Sequence, residues 1–139
     1  MGQAMIEPTL ELQRAIGERL VGSSIVTALV APSSIVDGPR RPEEFPSIIF
    51  HAAQTVAEPL TFGRNHARVY TDLHVWTGDG GHVLAKQIVG AIREALRSPL
   101  TLQDIDLVDF SLSGARFMRD PSGNGHAVVT IEALIGWRQ

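Results

Sequence analysis

Cysteine is absent from the 139 residues of this sequence. Disulfide bonds, thiolate metal sites and cysteine nucleophiles are therefore excluded, and a reducing compartment is compatible with the chain. The fold must be held by side-chain packing alone, and a chain of this length can bury one hydrophobic core without cross-links. We therefore expect a single domain that spans residues 1–139.

Long apolar segments and clustered positive charges are also absent. No stretch approaches the roughly 20 apolar residues that cross a bilayer, and the N-terminal MGQAMIEPTLELQ lacks the basic start and apolar run of a signal peptide. The 12 Lys and Arg residues are outnumbered by 15 Asp and Glu residues, which gives a net charge of −3. The sequence therefore predicts a soluble intracellular protein whose main function is not nucleic-acid binding through a basic surface.

The N-terminal part of the chain has the pattern of two helices followed by a long loop. In residues 8–21 apolar side chains recur at every fourth position, and Gly22 can end the helix. Ser23 and Ser24 are capping residues that predict a short second helix at 25–30. Residues 31–46 then hold four of the eight prolines. We expect this stretch to form a surface loop and a contact surface, because long loops in compact domains tend to be functional.

Alternating apolar residues predict four strands arranged as two hairpins. The first hairpin has strands at 47–56 and 68–76 with a projecting loop at 57–67, and the second has strands at 105–118 and 126–137 with a turn at 119–126. An amphipathic helix at 81–97 separates them. The order α, (α), β, β, α, β, β predicts an α+β fold in which the N-terminal and central helices pack on one face of a four-stranded, mostly antiparallel or mixed sheet.

The strand at 68–76 has one apolar face and one polar face. Val69, Thr71, Leu73 and Val75 alternate with Tyr70, Asp72, His74 and Trp76. The polar side chains, with His51 or His126 from neighbouring strands, are the candidate site of a small ligand-binding or enzymatic domain. More often such a face is only the less buried side of a sheet, which is the interpretation we favour.

No motif in the sequence assembles catalytic or metal chemistry. The GDGG stretch at 78–81 lacks the lysine and hydroxyl of a phosphate-binding loop, and Asp79 is better suited to cap the helix that follows. DPSGNG, from Asp120, superficially resembles a calcium loop but has Ile131 where the twelfth-position carboxylate is needed. The histidines form no metal-binding helix pair, and no serine lies in a nucleophile elbow. We therefore predict no catalytic residues, no cofactor and no metal site.

Three passages, in this order and spacing, give the sequence a family resemblance. They are VDG followed by FPSIIF at 36–50, LHVWTGDGGHVLAKQIVGAIREAL from Leu73, and ARFMRDPSGNGHAVVTIEALI from Ala115. With the two N-terminal helices they make the chain similar to the phage tail-completion family. These are the tail-terminator or head-to-tail joining proteins of long-tailed phages, prophages and gene transfer agents.

This resemblance implies a structural role in virion assembly. Members of the family form a ring at the head-proximal end of the tail tube, usually of about six copies with one repeated head-to-tail interface. The implied partners are other copies of the chain, the tail tube protein and the head-tail connector or stopper protein. DNA would pass through the lumen without specific binding. The chain would assemble in the host cytoplasm and remain in the virion, at the head-tail interface. A connector subunit of similar fold is a further possibility.

Projecting loops are the expected contact surfaces of such a ring. The long loop places two arginines beside two glutamates, and we expect these opposite charges to dock a partner ring. The predicted interface residues are Arg40, Arg41, Glu43 and Glu44 of this loop, Arg64 of the 57–67 loop, and Arg119 and Asp120 of the last hairpin turn.

Overall fold

This computed structural model describes residues 6–38, 42–58, 65–78 and 82–138 of the chain. Within these ranges the elements are α1 (Pro8–Val21), α2 (Ser24–Thr27), a 3-10 turn (Pro32–Ser34), β1 (Ile35–Asp37), β2 (Ser47–Ala57), β3 (His66–Thr77), α3 (His82–Ala95), β4 (Ile105–Arg119) and β5 (Gly125–Trp137). The strands form a mixed sheet in the order β1-β2-β3-β5-β4, with β1 parallel to β2 and the other neighbours antiparallel. In the described residues, no helix has the length and apolarity needed to cross a membrane.

The predicted α+β class is confirmed, and the predicted number of strands is wrong by one. The additional strand, β1, lies in the segment 31–46 that was expected to be a loop. Ile35 is buried, and the strand pairs in parallel with Ile48–Phe50 at the start of β2. Three residues are enough for this edge strand because β2 provides its hydrogen-bond partners. A strand of that length between prolines leaves no alternation pattern in the sequence.

The first helix has the predicted bounds, and the second is shorter than predicted. The side chain of Glu7 accepts a hydrogen bond from Thr9 N at 3.0 Å and caps α1, and Gly22 N–H closes its C-terminal end on Glu18 O. The second helix begins after Ser23 but ends at Thr27, because the amides of residues 29 and 30 both bond to the carbonyl of residue 26. This shared acceptor forms a tight turn that ends the helix.

The central strand β3 divides the sheet into two faces. It pairs with β5 along its whole length, from His66 opposite Gly136 to Thr77 opposite Gly125. We call the side that carries Val69, Thr71, Leu73 and Val75 the helix face, because the apolar residues of α1 and α3 pack over it. The core contains Leu12, Ile16 and Leu20 of α1, Ile88 and Ile92 of α3, and Val69, Leu73, Val129, Ile131 and Ile135 of the sheet.

The opposite side of the sheet is the open face. It carries Arg68, Tyr70, Asp72, His74 and Trp76 of β3, together with their cross-strand partners on β2, β5 and β4. Its burial is uneven, since Ile49, Trp76 and Val128 are buried where β1 and the segment 42–46 lie, and β2 is exposed from His51 to Ala57. The open face is therefore packed at one end and in contact with solvent at the other.

Two polar side chains of α1 connect it to the chain after α3. Glu11 is 6% exposed and accepts hydrogen bonds from Arg14 at 2.6 Å and from Gln103 N at 2.6 Å. The Arg14 guanidinium, and then the Gln103 amide, hold the pKa of Glu11 below its ordinary value although burial raises it. Arg19 donates to the carbonyls of Ala95, Ser98 and Pro99, which caps the C-terminal end of α3. These bonds fix the position of α1 against α3.

We predict that Glu11→Ala lowers the free energy of unfolding by about 2 kcal/mol, because it leaves the Gln103 amide without its charged acceptor. Glu18→Ala is the matched control: Glu18 also binds Arg14, at 2.8 Å, but is 72% exposed. An exposed i, i+4 ion pair contributes only about 0.5 kcal/mol. Urea denaturation of both variants measures the difference, and equal losses would contradict the structural role of Glu11.

Candidate functional site

The segment 42–46 places two of the predicted interface residues at one end of the sheet. Ser47 Oγ donates to the carbonyl of Glu44. Phe45 packs closely against Gly78: a Cβ added to Gly78 would lie 3.3 Å from the Cβ of Phe45. Glu43 and Glu44 are exposed and line a shallow groove of about 310 Å³ whose other walls are formed by Ser33, Ser34, Val36, Pro42, Ser47 and Ile49. Arg40 and Arg41 lie outside the described residues.

The turn between β4 and β5 lies at the same end of the sheet. Arg119 pairs with Gly125, which pairs in turn with Thr77, next to the Trp76–Ser47 pair. The carboxylate of Asp120 accepts bonds from the amide of Ser122 at 3.0 Å and from its hydroxyl. Asp120 therefore shapes the turn, and its carboxylate is engaged there rather than arranged as a calcium ligand. Arg64, the other predicted interface residue, lies outside the described residues.

Three histidines meet on the open face. His74 Nδ1 lies 2.8 Å from His126 Nε2, within hydrogen-bond distance, and the ring of His51 is 4.1 Å from that of His74 between centroids. Trp76 stacks on His126 with centroids 3.9 Å apart and an interplanar angle of 9°. We call these four side chains the histidine cluster. The sequence pattern placed His74 and Trp76 on one face, and the pairing of β2, β3 and β5 brings the other two rings to them.

The surroundings of His74 and His126 favour neutral imidazoles at these two positions. Burial, followed by the neighbouring His51, His126 and Arg116, lowers the pKa of His74 to about 4 from 6.5. The pKa of His126 is lowered for the same first reason, then by His51 and Arg116. A single proton can bridge the two nitrogens of His74 and His126, whereas two charged rings at this distance would repel each other.

The chemistry available to the histidine cluster is limited. No group of three His, Cys, Asp or Glu side chains in the described residues has a geometry that could hold a metal ion. Trp76 is buried and fills the space beside His126, so the rings are packed against each other. The arrangement is that of a small aromatic core on the open face of the sheet.

The other sequence features that suggested a site have structural roles or are not described. Residues 79–81 of the GDGG stretch lie outside the described residues, so the helix-capping role of Asp79 remains a prediction. Asp104 adopts a left-handed backbone conformation with φ of 61° before β4. Asp106 is exposed and accepts a bond from Arg138 at 2.9 Å. This ion pair gives Asp106 a structural partner at the start of β4.

Comparisons with known proteins relate this fold to virion components. Residues 14–136 match the family model described as Tail completion protein gp17. A chain in the virion of a native gene transfer agent particle superposes with a TM-score of 0.77 at 20% identity, covering 92% of this chain and 96% of that one. The gp17 protein of bacteriophage SPP1 gives 0.64 at 20% identity, with coverage of 96% and 95%. No protein with a curated description matches the sequence significantly.

We predict that the histidine cluster makes stability fall as the pH is lowered from 6.5 towards 4. The unfolded chain takes up a proton on His74 below pH 6.5, and the folded chain does so only near its lowered pKa of about 4. The folded state is therefore favoured above pH 6.5 and loses this contribution as the pH falls. The slope should stay below the limit of about 1.4 kcal/mol per pH unit for one proton, since the ring is only half-buried.

Urea unfolding between pH 7 and 5, above the ordinary range of carboxyl groups, measures this slope. His74→Asn should reduce this slope. A slope in His74→Asn as steep as that of the unsubstituted protein would assign the pH dependence to other groups.

Proposed function

The chain belongs to the tail completion protein gp17 family, and on this premise we propose that it forms a ring at the head-proximal end of a phage-type tail tube. The ring ends tube polymerisation and joins the tail to the head connector. The observation that carries the proposal is the family match over residues 14–136, and the shared fold with a chain of a gene transfer agent virion supports it. Assembly takes place in the host cytoplasm, and the protein remains in the particle.

A closed ring needs one interface that repeats head to tail, so each copy must present two different complementary surfaces. The described fold has such an asymmetry. The helices cover one side of the sheet, and the sheet ends in a short β1 with part of β2 on one edge and in β4 on the other. We infer that neighbouring copies contact each other through the two edges of the sheet, and that the contacts along the ring axis use the ends of its strands.

The end of the sheet with Glu43 and Glu44 is the proposed docking surface for the next component of the particle. These exposed carboxylates line the groove beside β1, and the hairpin turn with Arg119 projects from the same end. We propose that Arg40 and Arg41, which are close to them in sequence, add positive charge to this surface, since blocks of both signs favour orientation-specific docking over simple attraction. The partner is the tail tube protein or the connector, and Arg64 is proposed for a second contact.

The charge of the chain is compatible with passage of DNA through the ring. The net charge is −3. A lumen rich in Lys and Arg would bind the phosphates and release counterions, which would hold the DNA in place. We propose that DNA crosses the ring without specific binding.

We propose a structural role rather than catalysis. The alternative site was the polar face of β3, where the histidine cluster is packed against a buried tryptophan. Imidazoles in contact with each other, with pKa values lowered by burial, stabilise a surface core without needing a substrate. This cluster therefore adds no second function to the proposal.

We predict rings of about six copies in solution or on isolated tail tubes, because one heterologous interface repeats until it closes. Light scattering across protein concentration gives the mass, and negative-stain microscopy of the same sample with tail tubes shows whether the rings bind tube ends. A monomer at all concentrations that also fails to bind tube ends would contradict the proposed function. Stabilisation of that monomer by a small ligand would favour a binding domain instead.

We predict that replacing Arg40, Arg41, Glu43 and Glu44 together by alanine prevents the joining of heads to tails while the ring still forms. The reason is that the substitution removes the charges of the proposed docking surface, of which Glu43 and Glu44 are exposed. The matched control is Glu94→Ala with Arg97→Ala, which removes an exposed i, i+3 ion pair at the end of α3. Particle yield by electron microscopy is the measurement, and unchanged joining in the fourfold variant would remove the docking role of the loop.

A further inference from the structure

In the part of the chain that the structure describes, another strand covers the outer edge of β2 only at its start. The short β1 covers only Ile48–Phe50, so in the described sheet the following residues 51–57 have β3 on one side and no strand on the other. This stretch, HAAQTVA, contains no Asp, Glu, Lys, Arg or Pro, and each of its residues is exposed. Natural proteins usually block such an edge with charges, proline or a covering element, because its free backbone groups bind another strand.

β2 is nevertheless a well-supported strand along this stretch. Ala53–Ala57 pair in regular register with residues 67–71 of β3, which are themselves paired with β5. The backbone N–H and C=O groups along this outer edge are therefore held in an extended row. Such an edge is suited to binding another extended strand through backbone hydrogen bonds.

The opposite edge of the same sheet is formed by β4. In the described residues this strand has β5 as its neighbour on one side, and the sheet order ends with it on the other. It is 15 residues long, with irregularities between Leu107 and Asp109 and between Leu112 and Gly114. Among the described residues, the sheet therefore has two edges along which a stretch of strand has no neighbouring strand.

An exposed valine lies on each of these edges at the same level of the sheet. Val56 on β2 is 39% exposed and Val108 on β4 is 54% exposed. Through the strand pairings, Val56 is opposite Arg68, Arg68 is opposite Leu134, and Leu134 is opposite Asp109, the residue next to Val108.

Both valines also belong to the open face. Val56 shares it with its partner Arg68. The side chain of Val108 lies near Gly136, since a Cβ added to Gly136 would be 3.6 Å from Val108 Cγ2. Gly136 is opposite His66 of β3, which belongs to the open face, so Val108 lies on the open face as well. Two apolar side chains thus lie at one height and on one face, on the two opposite edges of the sheet.

The direction of the strands would also allow β4 of one copy to pair with β2 of another. β2 is antiparallel to β3, β3 to β5 and β5 to β4, so β4 runs antiparallel to β2. If a second copy continues the sheet with its helices on the same side, its β2 meets the β4 of the first copy in antiparallel orientation. This is the pairing already used between the four longer strands.

From these observations we propose that β4 of one copy pairs with residues 51–57 of β2 in the next copy, with Val108 against Val56. The occupant of each free edge is a second copy of this chain, because the same sheet carries both halves of the contact in matching direction, face and height. The interface is heterologous, since one edge meets the other, and it repeats around a ring. This inference rests on the proposed ring and names the surface that closes it.

Disulfide trapping tests the pairing directly, because the chain has no cysteine of its own. In the double variant Val56→Cys, Val108→Cys we expect a ladder of cross-linked species up to the closed ring on a non-reducing gel. Three strand spacings separate the two positions within one copy, about 14 Å. A disulfide spans at most about 7 Å between Cα atoms, so every bond formed must join two copies.

Matched variants identify the contact. Gln54→Cys with Val108→Cys tests a pairing of β4 with β2 that is shifted by two residues. Such a shift keeps both cysteines on the open face, because side chains alternate between the faces with a period of two. Val56→Cys with Val83→Cys is the control, since Val83 is 73% exposed but lies on α3. We expect cross-linking at least about tenfold faster than in this control for one of the two edge pairs, since paired strands hold the sulfurs at bonding distance. Efficient dimers from Val56→Cys alone would overturn the proposal, because β2 would then pair with β2.

A charge test examines the same contact without cross-linking. Val56→Lys and Val108→Lys should each weaken association by about tenfold or more, because a lysine there loses its water on pairing. Val83→Lys makes the same change on α3 and should have no effect. Val56→Lys combined with Val108→Glu should recover association, since the two charges then face each other. All variants should retain the native unfolding temperature, which excludes misfolding as the cause.

The outcomes separate this proposal from the proposed function. Rings of normal size in which both edge pairs cross-link no faster than the control overturn the edge pairing and leave the ring standing. Fast cross-linking into open chains that never close supports the edge pairing and contradicts the ring. Absence of fast cross-linking in a protein that stays monomeric overturns both.

Discussion

The pairing of β3 with β5 is the constraint on which the rest of the structure depends. It joins parts of the chain about sixty residues apart and aligns both strands along the whole length of β3. A shift by one residue would exchange the faces, moving Val69, Leu73 and Val75 into solvent and Arg68, Asp72 and His74 under the helices. The hydrophobic pattern of both strands excludes this shift. The helix layer, the open face and the two edges of the sheet follow from that single register.

The helix layer is held in place by polar contacts as well as by packing. Apolar side chains give α1 and α3 a common surface over the sheet, but apolar packing is non-directional. The carboxylate of Glu11 and the guanidinium of Arg19 bind backbone groups of the chain that follows α3, and these bonds have defined geometry. They place both helices on one side of the sheet. As a result the edges of the sheet are left without a covering helix in the described residues.

The distribution of chemistry over the surface is that of an assembly component. The histidine cluster consists of rings packed on each other and on Trp76, and the carboxylate of Asp120 shapes its own turn. In contrast, the exposed and uncharged stretch of β2 has no strand on its outer side within the described residues. In a monomeric enzyme such an edge would favour aggregation, whereas in a ring the next copy covers it. The fold thus fits the family to which the chain belongs better than it fits a small catalytic domain.

The sequence by itself determined the local structure and the class of fold. The bounds of α1, the two hairpins, the central helix and the two faces of β3 all follow from side-chain periodicity and capping residues, which act over a few positions along the chain. The same local signals missed β1, because a three-residue strand exists only through its pairing with β2. For the polar face of β3, they favoured the less buried side of a sheet over a ligand-binding or catalytic site.

Only the tertiary structure decided which residues meet. The order β1-β2-β3-β5-β4 brings His51 and His126 to His74, although they are distant in sequence. It also places Val56 and Val108 at one height on opposite edges. These relations depend on register between strands that are far apart in the chain, and register is set by the packing of the whole sheet. A local pattern contains no information about it.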